Sequence, residues 1–138
     1  MGEVSDVKRS PLPTRRVALK RSRRPLPARS PRRTAEAPER AALVADLLER
    51  HPDCQVGAIL RAAGHPLAGN CTRRSTQVHE RLTRARLGSV LNPANCLTSC
   101  TWCNCIFIEE HPAEATALGL LVPSTSAEAE ALRRRRRA

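Results

Sequence analysis

The sequence is nearly without aromatic side chains, since it contains Trp102, Phe107 and no tyrosine. Because aromatic side chains bury the largest apolar areas, a core in this chain must be built mainly from Leu, Val, Ile and Ala. Such a core is small, and small cores often need a metal or another cross-link to hold them together. Long apolar runs are also lacking, and none approaches the roughly 20 residues of a membrane span. The sequence therefore predicts no transmembrane segment.

An apolar secretion signal is absent from the first residues, so we expect an intracellular protein. The predicted location is the cytoplasm, or the nucleus in a eukaryotic cell, because residues 20–33 resemble a nuclear localisation signal. In a reducing compartment the six cysteines should be thiols, and clustered thiols there favour metal binding over disulfides. No nucleophile–base–acid set and no Gly-rich phosphate loop stands out, so no enzyme is predicted.

Negative charge is scarce at both ends of the chain. Residues 1–40 contain 12 Lys and Arg against 4 Asp and Glu, and residues 133–137 are five consecutive arginines. The remainder contains 7 arginines against 9 acids, so a near-neutral body lies between two cationic tails. Such tails bind polyanions by releasing condensed counterions. Nucleic acid is the predicted partner, and an adaptor role on acidic protein or membrane surfaces is the alternative.

Proline and charge divide the chain into four segments. Residues 1–37 are predicted to be a disordered Arg/Pro-rich arm, because proline blocks helix and like charges repel. Its expected nucleic-acid contacts are Arg21, Arg23, Arg24, Arg32 and Arg33. Residues 38–91 read as a helical body, and residues 92–122 as a Cys-rich segment with a short helix from Pro112. Residues 123–138 form a basic tail, where Thr125 and Glu128 fit a capping box.

Apolar periodicity predicts three helices in the body, at residues 38–50, 53–63 and 72–87. The predicted fold class is mainly α: a small three-helix body with a Cys-rich loop that could hold zinc, flanked by disordered basic tails. The third helix has an apolar stripe backed by basic residues, as in helices that contact nucleic acid. Its candidate contacts are Arg73, Arg74, Gln77, Arg81, Arg84 and Arg86.

Residues 38–87 resemble a helix-turn-helix domain in pattern. The resemblance implies a DNA-binding transcription regulator that works as a homodimer. The sequence departs from the motif in the turn, because GHPLAGNC, residues 64–71, is longer than the usual three or four residues. A plain helical hairpin with a solvated arginine face is the other interpretation.

Four cysteines lie close together in the chain with the spacing C-x3-C-x2-C-x-C: Cys96, Cys100, Cys103 and Cys105. Four thiolates are the ligand set of a structural zinc site, and His111 could replace one of them. Cys54, Cys71 and His65 could also reach the site from the helical part. Cysteines without metal, an iron–sulfur cluster and disulfides remain the alternatives.

Cys96, Cys100 and Cys103 also resemble the cluster motif of radical S-adenosylmethionine enzymes. That family needs well over a hundred residues after its motif, and only 35 follow Cys103, so an iron–sulfur cofactor is not expected. The whole layout is similar to small cysteine-rich, arginine-rich nucleic-acid-binding accessory proteins of RNA viruses, in which a basic run precedes a cysteine cluster as Arg73 to Arg86 precedes Cys96 here. This resemblance implies a regulatory viral protein that binds RNA and interferes with host gene expression or RNA silencing.

Overall fold

The computed structural model describes residues 29–133, and within them the protein is mainly helical with one two-stranded sheet. The helices are α1 (Pro31–Arg50), α2 (Gln55–Ala62), α3 (Ile108–Glu110), α4 (Pro112–Ala117) and α5 (Ala127–Arg133). A π-helical segment, Cys103–Phe107, runs directly into α3. Strands β1 (Gln77–Glu80) and β2 (Cys96–Ser99) pair antiparallel, with Gln77 opposite Ser99. The mainly helical class is confirmed.

Helix α1 begins earlier than the sequence predicted. Ser30 caps it by accepting a hydrogen bond from the Arg33 backbone N–H, and Pro31 occupies the first turn. Pro38, expected at the first helical position, lies inside the helix instead. Arg32 and Arg33 therefore belong to α1 and not to a disordered arm. Arg21, Arg23 and Arg24 lie outside the described residues.

The prediction of a third helix over residues 72–87 is wrong. Arg73 has a left-handed backbone (φ 68°), which breaks a helix at its start, and β1 takes up the middle of the segment. Only a short 3-10 turn, Arg84–Arg86, follows. Tertiary pairing decides this outcome, because the hydrogen bonds to β2 outweigh the modest helical periodicity. The recognition helix on which the helix-turn-helix reading depended is therefore not formed.

The other helices lie close to their predicted places. Helix α2 falls within residues 53–63, and α4 begins at Pro112. Helix α5 is capped by Ser126, whose side chain accepts a hydrogen bond from the Ala129 N–H, rather than by Thr125. No helix among residues 29–133 is long and apolar enough to cross a membrane.

The core consists of two apolar clusters. The larger one surrounds four cysteine side chains with Leu60 of α2, Phe107 of the π-helical segment, Ala115 of α4 and Leu120, which follows α4. The smaller one joins Leu82 to α5 through Val122, Ala129 and Leu132. Because Phe107 is the one aromatic residue buried among residues 29–133, much of the packing in the larger cluster is made around its cysteine sulfurs.

Candidate metal centre and arginine groove

Four buried cysteines meet at the centre of the larger cluster: Cys54, Cys71, Cys100 and Cys103. Their Sγ atoms all lie within 4.8 Å of one another, and those of Cys71 and Cys100 are 4.0 Å apart. Cys54 directly precedes α2, Cys71 follows a 3-10 turn, and Cys100 and Cys103 follow β2. Folding thus assembles one four-sulfur group from three separate parts of the chain, and this group could hold a metal ion.

Backbone N–H groups point at three of these sulfurs. Cys54 Sγ accepts hydrogen bonds from Gly57 N and Cys100 N, each at 3.2 Å. Cys100 Sγ accepts from Cys103 N at 3.4 Å, and Cys71 Sγ from Arg73 N at 3.3 Å. Such bonds stabilise negative charge on sulfur and fix the orientation of a ligand. Arg73 has a left-handed backbone, and its carbonyl oxygen accepts a hydrogen bond from Cys54 N at 2.6 Å.

The four thiols influence one another's ionisation. A hydrogen bond from Cys103 lowers the pKa of Cys54 to about 5 against the opposing effect of burial, with help from the N–H groups that point at it. The same hydrogen bond raises the pKa of Cys103, as do burial and the neighbouring Cys100. Burial raises the pKa of Cys71. Because thiolates this close repel, the group favours a bound cation once its protons are released.

The sulfur arrangement fits zinc. Zinc–thiolate bonds of about 2.3 Å place the sulfurs of a tetrahedral site roughly 3.8 Å apart, and here Cys71 Sγ and Cys100 Sγ lie 4.0 Å apart with all four sulfurs within 4.8 Å of one another. Gly57 makes room for this arrangement, since a Cβ at that position would lie 2.1 Å from Cys71 Sγ. Four sulfurs without an imidazole or carboxylate are typical of zinc or iron rather than of calcium or magnesium.

The structure brings together two of the five metal ligands predicted from the sequence, Cys100 and Cys103. Cys96 lies elsewhere, with its Sγ 3.2 Å from Arg40 Nη1, because β2 carries it away from the group. Cys105 is exposed and contacts Gln77, and His111 pairs with Glu114. Cys54 and Cys71, which the sequence offered only as residues able to reach in, complete the set instead.

A second feature is the arginine groove, between the first turns of α1 and the loop after β1. Arg32, Arg33 and Glu36 line one side, and Arg84 with residues 87–90 lines the other. Arg29, which the sequence did not single out, lies beside Arg33 in an adjoining groove along α1. Arg32 pairs with Glu36, and the groove is lined by three arginines against that one acid. The groove therefore carries a net positive charge.

The remaining predicted arginines are divided between different places. Arg73 and Arg74 are exposed beside the start of α2, away from the groove. Arg81 is half-buried, and its guanidinium already has two partners within the protein, since it donates to Gly119 O at 2.8 Å and pairs with Glu128. Gln77 is half-buried and accepts from Asn104 Nδ2 at 2.7 Å. Arg86 is exposed next to the groove. The expected single basic face is thus not formed, and the groove gathers Arg32, Arg33 and Arg84.

The functional interpretation of the chain rests on this geometry. No family model, curated protein or solved structure matches the chain.

Proposed function

We propose that this chain is a small nucleic-acid-binding protein whose fold is stabilised by a structural zinc ion. The observation that carries the proposal is the arginine groove itself, which lies between the first turns of α1 and the point where Ser89 contacts α5. Helix α1 starts at the groove with Arg32 and Arg33, and Ser89, on its other side, donates to Leu132 O at 3.0 Å in the last turn of α5. Arg133, the first of the five consecutive arginines, directly follows this contact in the chain.

This convergence favours nucleic acid as the partner. A phosphate backbone offers evenly spaced negative charges, and arginine binds phosphate through paired N–H donors. Residues 1–40 carry a net charge of +8 and residues 133–137 carry +5, against −2 for the remainder. Part of the first charge, on Arg32 and Arg33, is held at fixed positions in the groove opposite Arg84. The resemblance to viral accessory proteins adds RNA, and interference with host gene expression, as a hypothesis.

Binding should show the salt dependence of phosphate contacts. We expect the logarithm of the association constant to fall linearly with the logarithm of salt concentration, with a slope of about −0.9 per phosphate neutralised on duplex DNA. A chain lacking residues 1–28 should bind more weakly and with a shallower slope. An unchanged slope in that chain would show that residues 1–28 make no contacts with phosphate. Fluorescence anisotropy with labelled RNA and DNA measures both quantities.

A different class of partner is distinguished by competition. If the arm docks on acidic protein or membrane surfaces instead, anionic lipid vesicles should displace labelled nucleic acid from the protein at equal charge concentration. We expect unlabelled nucleic acid to displace the label at far lower charge concentration than the vesicles. Stronger displacement by the vesicles would favour the adaptor role.

The zinc component has a direct test. Elemental analysis of protein purified under reducing conditions should find one zinc ion per chain. Cys54→Ser and Cys103→Ser should each lose the zinc, because each removes one of the four sulfurs. Cys96→Ser and Cys105→Ser are the matched controls and should retain it, since neither sulfur belongs to the group. Zinc lost from the controls but retained in the first pair would contradict the assignment.

A further inference from the structure

Residues 83–88 form a turn in the loop after β1, and this turn is closed by hydrogen bonds of its own backbone. Arg86 N and Gly88 N both donate to Thr83 O, at 2.9 and 3.0 Å, and Leu87 N donates to Arg84 O at 3.0 Å. Gly88 is required at its position, since a Cβ there would lie 1.8 Å from Leu82 O. The turn is therefore a fixed shape and not an open loop.

A buried amide holds both ends of this turn, which we call the 83–88 turn. Asn95 is fully buried, and its Oδ1 accepts from Leu82 N at 2.7 Å. Its Nδ2 donates to Leu82 O at 2.9 Å and to Ser89 O at 3.1 Å. Residues on either side of the turn are thus tied to one side chain, and Ser89 N is tied in addition to α5.

At the tip of the turn, Leu87 is the most exposed large apolar side chain of the described residues, at 72%. Its backbone is left-handed, with φ 66°, a conformation that costs a leucine free energy. Such strain persists only where the surrounding structure enforces it, and it concentrates at functional sites. The Asn95 contacts and the turn hydrogen bonds provide that enforcement, and their effect is to present an apolar side chain to solvent.

The surroundings of Leu87 are basic on balance, although Glu36 pairs with Arg32 and Glu80 lies 3.7 Å from Arg84 Nε. Arg84 and Arg86 precede it in the same turn and are both exposed. Arg32 and Arg33 lie across the groove that Leu87 also lines. An exposed apolar side chain with arginines on both sides of a groove suits a polyanion that has an apolar interior. A base-paired duplex is such a partner, because its stacked bases lie between two phosphate backbones.

We propose that the 83–88 turn enters the minor groove of duplex DNA, with Arg84 and Arg86 in the groove and Leu87 wedged against a base step. The proposal rests on the nucleic-acid-binding function above and names its site and its ligand. Arginines are drawn to the enhanced negative potential of a narrow minor groove. Leucine is one of the side chains that proteins insert there to unstack a base step and bend the duplex.

The same geometry argues against single strands as the preferred ligand. Proteins that bind single strands stack bases on exposed aromatic rings. In residues 29–133, Phe107 is buried, and Trp102 is half-buried with its ring 6.0 Å from that of Phe107. The wide, shallow minor groove of an RNA duplex likewise lacks the narrow walls that would hold a turn with two arginines.

Leu87→Gly is the decisive variant, because glycine adopts a positive φ without strain and the fold should be retained. We expect it to bind an A·T-rich DNA duplex about tenfold more weakly, as loss of one buried apolar contact of that size implies. The bend in the duplex, read by energy transfer between dyes at its ends, should also be lost. Ile106→Ala, which removes the other exposed large apolar side chain, is the control and should change neither value.

The contribution of Arg84 and Arg86 is tested by comparing two double variants that have the same net charge. Arg84→Gln with Arg86→Gln should weaken duplex binding more than Arg50→Gln with Arg61→Gln, which remove the same charge elsewhere on the surface. A small molecule that occupies the A·T minor groove, such as netropsin, should compete with the wild-type protein.

The outcomes separate this inference from the proposed function. If wild type binds nucleic acid with the expected salt dependence but Leu87→Gly binds and bends the duplex equally well, the minor-groove inference is overturned and the general function stands. Equal displacement by RNA duplex and DNA duplex, with no competition from netropsin, would also overturn it. If wild type binds no nucleic acid at physiological salt, both proposals fail.

Discussion

Gly57 shows how strongly one position can constrain the four-sulfur group. Helix α2 passes so close to Cys71 that only hydrogen fits on the facing Cα, and the Gly57 N–H at the same time donates to Cys54 Sγ. A helix interior normally disfavours glycine relative to alanine. Here contact between the helix and a sulfur outweighs propensity, so glycine in α2 is a requirement of the site.

Gly57→Ala is therefore expected to damage the centre although alanine favours helix. Its Cβ would displace Cys71 Sγ from the group, with an overpacking cost of about 1–3 kcal/mol and loss of bound zinc. Urea unfolding and elemental analysis measure the two effects. Gly69→Ala is the control, since nothing lies within 4 Å of its added Cβ, and it should change neither. A zinc-loaded Gly57→Ala protein of wild-type stability would contradict the packing argument.

Among the segments, the 83–88 turn depends on a side chain that comes from a different part of the chain. Asn95 replaces the hydrogen bonds that a longer sheet would have given to Leu82. It lies directly before β2, so pairing of the two strands brings it into place. The sheet thus positions both a metal ligand after β2 and the turn after β1.

Asn95→Ala should destabilise the protein by about 2–4 kcal/mol, because it leaves the Leu82 N–H and carbonyl buried without partners. The loss is measured by urea unfolding with the metal kept in excess. Asn70→Ala removes an exposed asparagine side chain and should cost no more than about 0.5 kcal/mol. Similar values for the two variants would show that the turn does not rely on the amide.

Periodicity predicted α2, because its apolar residues face one core in a regular helix, and Pro112 predicted where α4 begins. Periodicity failed at residues 72–87, where Val78 and Leu82 suit a helix stripe but a strand pairing forms instead. The number of cysteines predicted that a group of thiols able to hold a metal would form, and two members of the four-sulfur group, Cys100 and Cys103, were predicted correctly. Cys54 and Cys71 could not be selected over Cys96 and Cys105, because contact between distant segments decides the set and spacing does not record it.

In the molecule as a whole, the two core clusters should differ in their response to loss of the proposed zinc ion. The larger one contains all four sulfurs, whereas the smaller one, from Leu82 to Leu132, contains none. A chelator should therefore loosen the larger cluster first. The protein then loses order around α2 while the contact between α5 and the loop persists.

Hydrogen exchange tests this difference. After chelation we expect the largest loss of protection at amides around the sulfurs, such as those of Gly57, Cys100 and Cys103. Amides that tie the loop to α5, such as that of Ser89, should change less. Cys54→Ser protein should exchange like the chelated wild type and should not respond to the chelator. An equal loss at every amide would indicate a single cooperative unit.

The distribution of the four sulfurs also sets an order of events during synthesis. Cys54 emerges from the ribosome long before Cys100 and Cys103, and the fourfold site cannot close until residue 103 has left the exit tunnel. The cationic residues 1–40 have by then already emerged. The nascent chain consequently presents its basic residues before the four-sulfur group is complete, and binding of the proposed zinc ion can stabilise the core only after residue 103 has emerged.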